Sequence, residues 1–411
     1  MTTLVETSDE EPTLAVARTI AELAWSQAGA DIAEPEVARY VGEAQAFLVS
    51  GRFSNLASLL LTSADVVLAS APEKDLECIF TVISNLVNKA HSPDQALEMA
   101  IQIEKKLHSV PLDKPALYLK IVFNLYNMLT TPYGRYVIFK KALELAVAGK
   151  VTDLMVPSLK RLDTFIKEWG IGNSEKRELY LHATNILKET KGSGKESFVF
   201  LVKYLSSFAG EDATTAGEAK EPAVRAIIEF VKAPDMFQCD LLEMLPVRQL
   251  ERDPKYAPVY RLLEIFLTSQ LDAYLEFQSA NSATIKTYGI VHEEAMTKMR
   301  LMSLTGLASK GSGEIPYSVV RDTLKVTDDE VEFWIVRAIG AKLIEAKMDQ
   351  MRQVVVISRC TERVFGAPQW RELRSRLAGW KENITNVERI LENAKQTGVP
   401  QGLQTAAVAA H

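Results

Sequence analysis

The residues of this chain whose types could bind phosphate or zinc have the wrong spacing for either task. The segment Gly192–Lys195 has the glycines and lysine of a phosphate-wrapping loop, but the spacing differs and no serine or threonine follows the lysine. His292 and Glu293 begin like the helix of a zinc protease, yet Met296 stands where the second histidine ligand belongs. Neither segment predicts a site.

Nucleophiles and carboxylates do not form a catalytic pattern either. The three cysteines, Cys78, Cys239 and Cys360, are far apart and are typical of free or buried thiols in a reducing compartment. The pair Asp328 and Asp329 is explained by the helix dipole, which favours carboxylates in a first turn. The sequence therefore predicts no enzyme activity, no cofactor and no metal.

Composition and charge limit the classes of protein to which the chain could belong. The chain has 411 residues, of which 47% are hydrophobic and 24% are charged, as in a globular protein of two or three domains. Its 47 basic and 53 acidic residues give a net charge of −6, which argues against a surface built to grip nucleic acid. The acidic beginning lacks the features of a signal peptide, and polar residues interrupt the apolar stretch Leu56–Ala71, so we expect a cytosolic protein.

The elements that would position any functional residue are mostly helices. After a predicted tail at 1–11, apolar residues recur three and four apart throughout 12–210, and the helix–turn–helix unit repeats about every 35 to 40 residues. This pattern predicts a right-handed α-solenoid of helical repeats. A large multi-domain helical bundle is the alternative. Ser92–Pro93 and Gly170 mark the start and the end of predicted helices.

The second half changes character. The polar stretch 211–221 predicts a long loop, and 222–298 predicts further helices. The segment 299–366 then reads helix, strand, helix, helix, hairpin, which is the order of a winged helix. Its third helix opens at Thr327 with a capping box completed by Glu330.

The predicted last helix, 367–397, has the most regular apolar pattern of the chain. Its apolar residues alternate spacings of three and four over nearly four heptads, which is typical of a coiled-coil seam: Trp370, Leu373, Leu377, Trp380, Ile384, Val387 and Leu391. Such a helix needs a partner. Part of this apolar stripe either folds back on the winged helix or, in its distal half, packs on another chain. The segment 398–411 is predicted to be a disordered tail.

Nucleic-acid binding is the function that a winged helix most often suggests, but the charges oppose it here. The predicted recognition helix begins with Asp328, Asp329 and Glu330, and its basic residues come late. A basic cluster nearer the end offers weak RNA contacts instead: Arg359, Arg363, Arg371, Arg374 and Arg376. The alternative favoured by the sequence is that these arginines flank the last helix and pair with Glu362 and Glu372.

Several stretches are similar to one known family. The segments Val291–Ala308, Lys347–Gln350 and Phe365–Lys381 resemble the M-subunit family of eukaryotic translation initiation factor three, which is a family of PCI proteins. Asn124–Asn127, followed by Arg135–Tyr136, is similar to the helical region of the same family. The resemblance covers most of the chain from Phe53 to Glu388.

This resemblance implies a PCI domain, in which 222–298 is the helical part, and a scaffold subunit without catalysis, cofactor or metal. It implies that PCI subunits join through the sheet edges of their winged helices, and we assign Val354 and Val356 of the predicted hairpin to that interface. It also implies that the C-terminal helices gather into one bundle. The partners would be other PCI and MPN subunits, with the small ribosomal subunit bound through the complex, mRNA only indirectly, and neither a membrane nor a small molecule.

Two alternatives stay open. The first is a PCI scaffold subunit of the COP9 signalosome, whose subunits look alike at low similarity. The second is a weak RNA-binding module that uses the arginines from Arg363 to Arg376.

Overall fold

The computed structural model of the protein describes residues 11–26, 30–109, 113–190, 192–310, 313–364 and 366–396. Over these ranges the chain forms twenty-two α-helices and one antiparallel sheet of three short strands, so the predicted mainly helical fold class is confirmed. Contacts between residues divide the chain into two units, Met1–Ser207 and Phe208–His411. Of the predicted tails, 398–411 and all of 1–11 except Glu11 lie outside the described residues.

The first unit contains the helices α1 to α12 and two short 3-10 helices, Leu86–Lys89 and Thr152–Met155. Consecutive helices pack as pairs, α1 with α2, α7 with α8, and α11 with α12, as the predicted repeating units require. The bounds of α1 to α12 are Pro12–Ala24, Ala30–Val49, Phe53–Thr62, Ala64–Ser70, Glu73–Asn85, Pro93–His108, Pro115–Met128, Pro132–Ala148, Val156–Leu159, Leu162–Trp169, Asn173–Glu189 and Gly194–Ser206.

The predicted helix boundaries in this unit have the expected local chemistry. The Ser92 hydroxyl accepts a hydrogen bond from the Gln95 amide at 3.2 Å and so caps α6, with Pro93 in its first turn. Gly170 ends α10 with a φ of 61°, a left-handed conformation that glycine adopts without a side-chain clash. Both boundary predictions are confirmed.

A carboxylate lies within the apolar core of the first unit. Glu104 of α6 is 2% exposed, and its carboxylate lies 3.3 Å from Nδ1 of His108. Burial raises the pKa of Glu104, while Lys141 and His108 oppose this effect. The folded protein therefore binds a proton at this carboxylate more readily than the unfolded chain does. Stability at this site falls as pH rises through the folded pKa.

We expect the E104Q variant to be more stable than the native chain at pH 8, because it removes the charge whose burial is unfavourable. A gain of about 1 kcal/mol corresponds to a rise of roughly 2–4 °C in Tm for a domain of this size. Thermal unfolding at pH 5.5 and pH 8, followed by circular dichroism, measures the difference, which should shrink at the lower pH. The control is E98Q on the same helix, where the carboxylate is exposed. A lower Tm for E104Q at pH 8 would contradict the prediction.

The second unit begins with α13 to α19, whose bounds are Ala213–Gly217, Lys220–Lys232, Leu245–Gln249, Ala257–Thr268, Leu271–Ala280, Ser282–Thr287 and His292–Lys310. Two short 3-10 helices, Leu241–Glu243 and Leu250–Arg252, lie on either side of α15. The prediction of a loop at 211–221 is wrong, because α13 and the start of α14 occupy it. The small side chains of Ala216 and Ala219 are fully buried, and α13 packs on α15.

The winged helix follows, with α20 at Tyr317–Leu324, α21 at Asp328–Gly340, and the predicted capping box between Thr327 and Glu330. Its core takes Leu301 and Leu304 from α19. The predicted boundary at 298/299 therefore falls inside one continuous helix, which serves both the preceding helices and the winged helix. The last element, α22, spans Ala367–Gln396.

The sheet has the strand order β1, β3, β2, with β1 at Glu314–Pro316, β2 at Ile344–Asp349 and β3 at Val354–Cys360. All pairs are antiparallel, and β3 is the central strand. The predicted hairpin is confirmed, and the short extended piece at Glu314 adds the third strand to it. The buried Val355 of β3 faces the winged-helix core.

In the described ranges, no single helix is long and apolar enough to cross a membrane. Phe53–Thr62 and Ala64–Ser70 reach that length and composition only together, across a bend of 50°.

Candidate protein interface

The residues that resemble parts of a zinc site or a phosphate loop, His292 and Lys195, lie within helices of the fold. His292 begins α19, where its Nδ1 lies 3.2 Å from the Tyr274 hydroxyl and its ring stacks on the Tyr274 ring with centroids 5.7 Å apart. Lys195 lies in the first turn of α12. Over the described ranges, no group of three or more His, Cys, Asp or Glu residues is placed to hold a metal ion.

The thiols of the second unit are poor nucleophiles. Burial raises the pKa of Cys239 to about 12, and it also raises the pKa of Cys360. Because the thiolate is the reactive form of cysteine, burial lowers the reactivity of both groups at neutral pH. Cys78, in the first unit, is exposed.

The recognition helix of the winged helix, α21, has an acidic start and an apolar middle. Asp328, Asp329 and Glu330 occupy its first turn, and Phe333 and Val336 are 58% and 54% exposed. Carboxylates at this end repel phosphate, as the sequence indicated. The sequence did not predict that Phe333 and Val336 are exposed, because the helix has apolar residues on both its buried and its exposed sides.

The apolar stripe of α22 is exposed along its described length. Trp370, Trp380 and Ile384 are 61%, 64% and 61% exposed. The other predicted residues are exposed to a comparable degree: Leu373, Leu377, Val387 and Leu391. At 1.5 Å per residue, a helix of 30 residues is about 45 Å long, so the stripe is a long apolar surface. In the described residues the side chains of the stripe are thus 38% to 64% exposed. Ile390, which sequence reasoning left out, is also exposed beside Leu391.

Val354 and Val356 lie on the central strand of the sheet and are half-buried. Val354 stands opposite Pro316 and Asp349, and Val356 stands opposite Glu314 and Lys347. Because β3 has a neighbour on both sides, these valines reach a partner only through their side chains. Strand pairing with another chain falls to the edge strands β1 and β2.

The arginines near the start of α22 are separated by the structure. Arg363 is turned into the unit, where its Nη1 donates hydrogen bonds to the carbonyl oxygens of Phe266 and Ser269 at 3.4 and 2.6 Å. Arg376 pairs with Glu372 one turn away, as the sequence indicated. Arg359 lies 3.8 Å from Glu345. Arg371 and Arg374 are exposed. Of this cluster, Arg363 is bound within its own chain, and Arg359 and Arg376 lie beside carboxylates.

Comparison with protein families gives two matches within this chain. Residues 275–359 match the model described as "PCI domain", which covers the end of α17, α18, α19 and most of the winged helix. Residues 363–389 match the model described as "eIF3 subunit M, C-terminal helix", which covers Arg363 and most of the stripe.

Relatives from distant eukaryotes cover most of the chain. A Dictyostelium discoideum protein named "Eukaryotic translation initiation factor 3 subunit M" is 34% identical over 331 residues, which are 80% of this chain and 81% of that protein. Proteins of the same name are 29% identical in Phaeosphaeria nodorum, over 96% of this chain and 89% of theirs, and 28% identical in Homo sapiens, over 82% and 88%.

Proposed function

The chain belongs to the family of subunit M of eukaryotic translation initiation factor 3, and from this membership we propose that it is a non-catalytic scaffold subunit of that factor. In this role it supports assembly of the preinitiation complex on the small ribosomal subunit and mRNA. The names of the relatives favour this factor over the COP9 signalosome. We assign the helical repeats to the first unit, and the PCI domain and the C-terminal helix to the second.

The observation that carries the proposal is the exposed stripe of α22. Two tryptophans and five aliphatic side chains along one helix are unfavourable in water, and a surface of this kind marks a protein–protein contact. The proposed contacts are other PCI and MPN subunits of the factor, with the stripe inside a shared helix bundle. The valines Val354 and Val356 are proposed as a second, smaller contact on the winged helix.

Nucleic acid is proposed to be an indirect partner only. The net charge is −6, α21 begins with three carboxylates, and Arg363 is bound to carbonyl oxygens of its own chain. These features leave little positive surface for a phosphate backbone. We therefore place the ribosome and mRNA contacts with the whole factor and the protein in the cytoplasm, and we propose neither a membrane nor a small-molecule partner.

Affinity purification of the tagged full-length chain from its own cells tests this function. Mass spectrometry is expected to find initiation-factor subunits and proteins of the small ribosomal subunit. Deneddylase subunits in their place would support the COP9 alternative. Recovery of neither set would contradict a scaffold role.

The RNA-binding alternative makes a separate prediction. The purified chain is expected to bind single-stranded RNA weakly, and an R371A/R374A variant is expected to change this binding little. Fluorescence anisotropy with labelled RNA between 50 and 200 mM salt measures both. Tight binding with a steep salt dependence, lost in the variant, would favour the RNA-binding module.

A further inference from the structure

Most described side chains of α22 are exposed, so the contacts at its root bear most directly on the direction of the helix. The root is the segment between the end of β3 at Cys360 and the start of α22 at Ala367. Thr361 still continues the sheet, where its amide donates to the Leu343 carbonyl at 2.9 Å. The described contacts that bear on the start of the helix are therefore those of Glu362 and Arg363, which follow Thr361.

Arg363 is the main tie in this segment. Its two carbonyl partners, on Phe266 and Ser269, are at the C-terminal end of α16. The last carbonyls of a helix lack partners within the helix and carry the negative end of its dipole, so a guanidinium both satisfies them and is attracted to them. Burial lowers the pKa of Arg363 to about 10, which leaves it charged at neutral pH.

Two further residues, Gly306 and Gln238, contact the same segment before α22. Gly306 of α19 faces the guanidinium so closely that a Cβ at this position would lie 3.1 Å from Cζ of Arg363 and closer still to Nη2. Glycine therefore leaves the space that the guanidinium occupies. In addition, the side-chain amide of Gln238 donates a hydrogen bond to the carbonyl oxygen of Glu362.

Other basic side chains of this unit satisfy helix ends as well, but their position is different. Arg300 donates to the carbonyls of Leu324 and Lys325 at the end of α20. Arg300 lies inside α19 and ties elements that already share a core. Arg363 lies between two elements, and it ties the last segment before an exposed helix.

We propose that Arg363, seated between Gly306 and the end of α16, fixes the direction in which α22 leaves the domain and so positions the apolar stripe for its partner subunits. Arg363 is a positioning residue and does not itself touch the partner. The second half of this inference rests on the proposed function. The first half does not, because it concerns the free chain.

Pulsed electron paramagnetic resonance on the free full-length chain tests the first half. Spin labels attached through p-acetylphenylalanine at Ser282 and Glu382 leave the native cysteines in place. Glu382 lies on the side of α22 away from the stripe, about 22 Å along the helix from Ala367 at 1.5 Å per residue, so a small change of direction moves the label far. The native chain is expected to give one narrow distance distribution.

The R363M and G306A variants are expected at least to double the width of that distribution. R363K should give an intermediate width, because one ammonium replaces a planar group with several donors. R359M, which removes an exposed arginine near the same root, should leave the width unchanged. G306A serves if R363M fails to fold, since alanine favours a helix more than glycine does. A broad native distribution, or equal widths in all variants, would overturn the proposal.

A co-purification experiment tests the second half of the inference and distinguishes its failure from failure of the proposed function. Co-purification of partner subunits is expected to fall several-fold in R363M and to stay at the native level in R359M. If the distances broaden but co-purification is unchanged, the positioning of the stripe for partners is refuted. If variants of the stripe itself also co-purify normally, the stripe is not the interface, and that part of the proposed function fails instead.

Discussion

Replacing Leu377 and Ile384 by aspartate is expected to abolish co-purification of the chain with its partner subunits and to leave its own fold intact. Both side chains are half or more exposed in the free chain, so their loss costs the isolated protein little. In a bundle each is expected to be buried, at about 1.5–3 kcal/mol per side chain. Losing both would weaken binding by at least about 100-fold. Quantitative mass spectrometry of the purified complex measures the loss, and circular dichroism checks the fold.

A matched control adds the same two charges to the other side of the helix. The N386D/N393D variant has the same spacing of seven residues, but it leaves the stripe unchanged. It should co-purify at the native level, and Arg389, which already bonds to Asn386, would partner one of the new carboxylates. Equal loss in both variants would mean that charge, not the stripe, matters. No loss in L377D/I384D would exclude the stripe as an interface.

The sequence was sufficient for those elements whose signals are local. The capping box at Thr327 depends on two residues three apart, and the stripe of α22 depends on a strict spacing over nearly four heptads. Both signals survive without knowledge of the rest of the chain. For the same reason, the winged helix and the long last helix were predicted close to their observed positions.

The errors came where packing overrides composition. The stretch 211–221 is small and polar, which is typical of a loop, but Ala216 and Ala219 are fully buried and α13 packs on α15. In a sequence, a small side chain is equally typical of a turn and of a close contact between helices. Likewise, no local sequence signal shows that α19 packs both on the preceding helices and in the winged-helix core. The predicted domain boundary at 298/299 therefore fell within this helix.

Arg363 was beyond prediction for a different reason. A basic residue beside other arginines looks like part of a positive surface, and only the fold brings the end of α16 to it, almost one hundred positions earlier in the chain. Lys298 is the same kind of residue. Whether a basic side chain is exposed or buried depends on whether the fold brings it to helix-end carbonyls that lack partners. That is a property of the tertiary structure.

Lys298 of α19 gives the second large expected effect, a strong dependence of stability on pH. The side chain is 2% exposed, and its ammonium donates hydrogen bonds to the carbonyl oxygens of Phe230 and, at 2.8 Å, Ala233. These carbonyls lie at the C-terminal end of α14. Burial lowers the pKa of Lys298 to about 7, although Cys239 and Asp235 oppose the shift. Near neutral pH the folded chain therefore holds this lysine only partly charged.

The sign of the effect follows from the protons bound in each state. Between pH 7 and about 10, the unfolded chain binds a proton at Lys298 that the folded chain has largely lost. The free energy of unfolding therefore rises with pH, at up to about 1.4 kcal/mol per pH unit from this group. The contribution is lost as pH falls through the folded pKa. In the K298M variant the titrating group is gone, so this part of the slope disappears.

Urea unfolding at pH 7, 8 and 9, followed by circular dichroism, measures the slope for the native chain and for K298M. The native slope is expected to be steeper, by about 2 kcal/mol over the whole interval. Loss of the two hydrogen bonds shifts the K298M values at every pH by about the same amount, so the slope remains the informative quantity. K232M removes an exposed lysine at the end of α14 and should keep the native slope. Parallel curves for the native chain and K298M would show that Lys298 stays charged in the folded protein, and that the two carbonyls, not desolvation, decide its protonation.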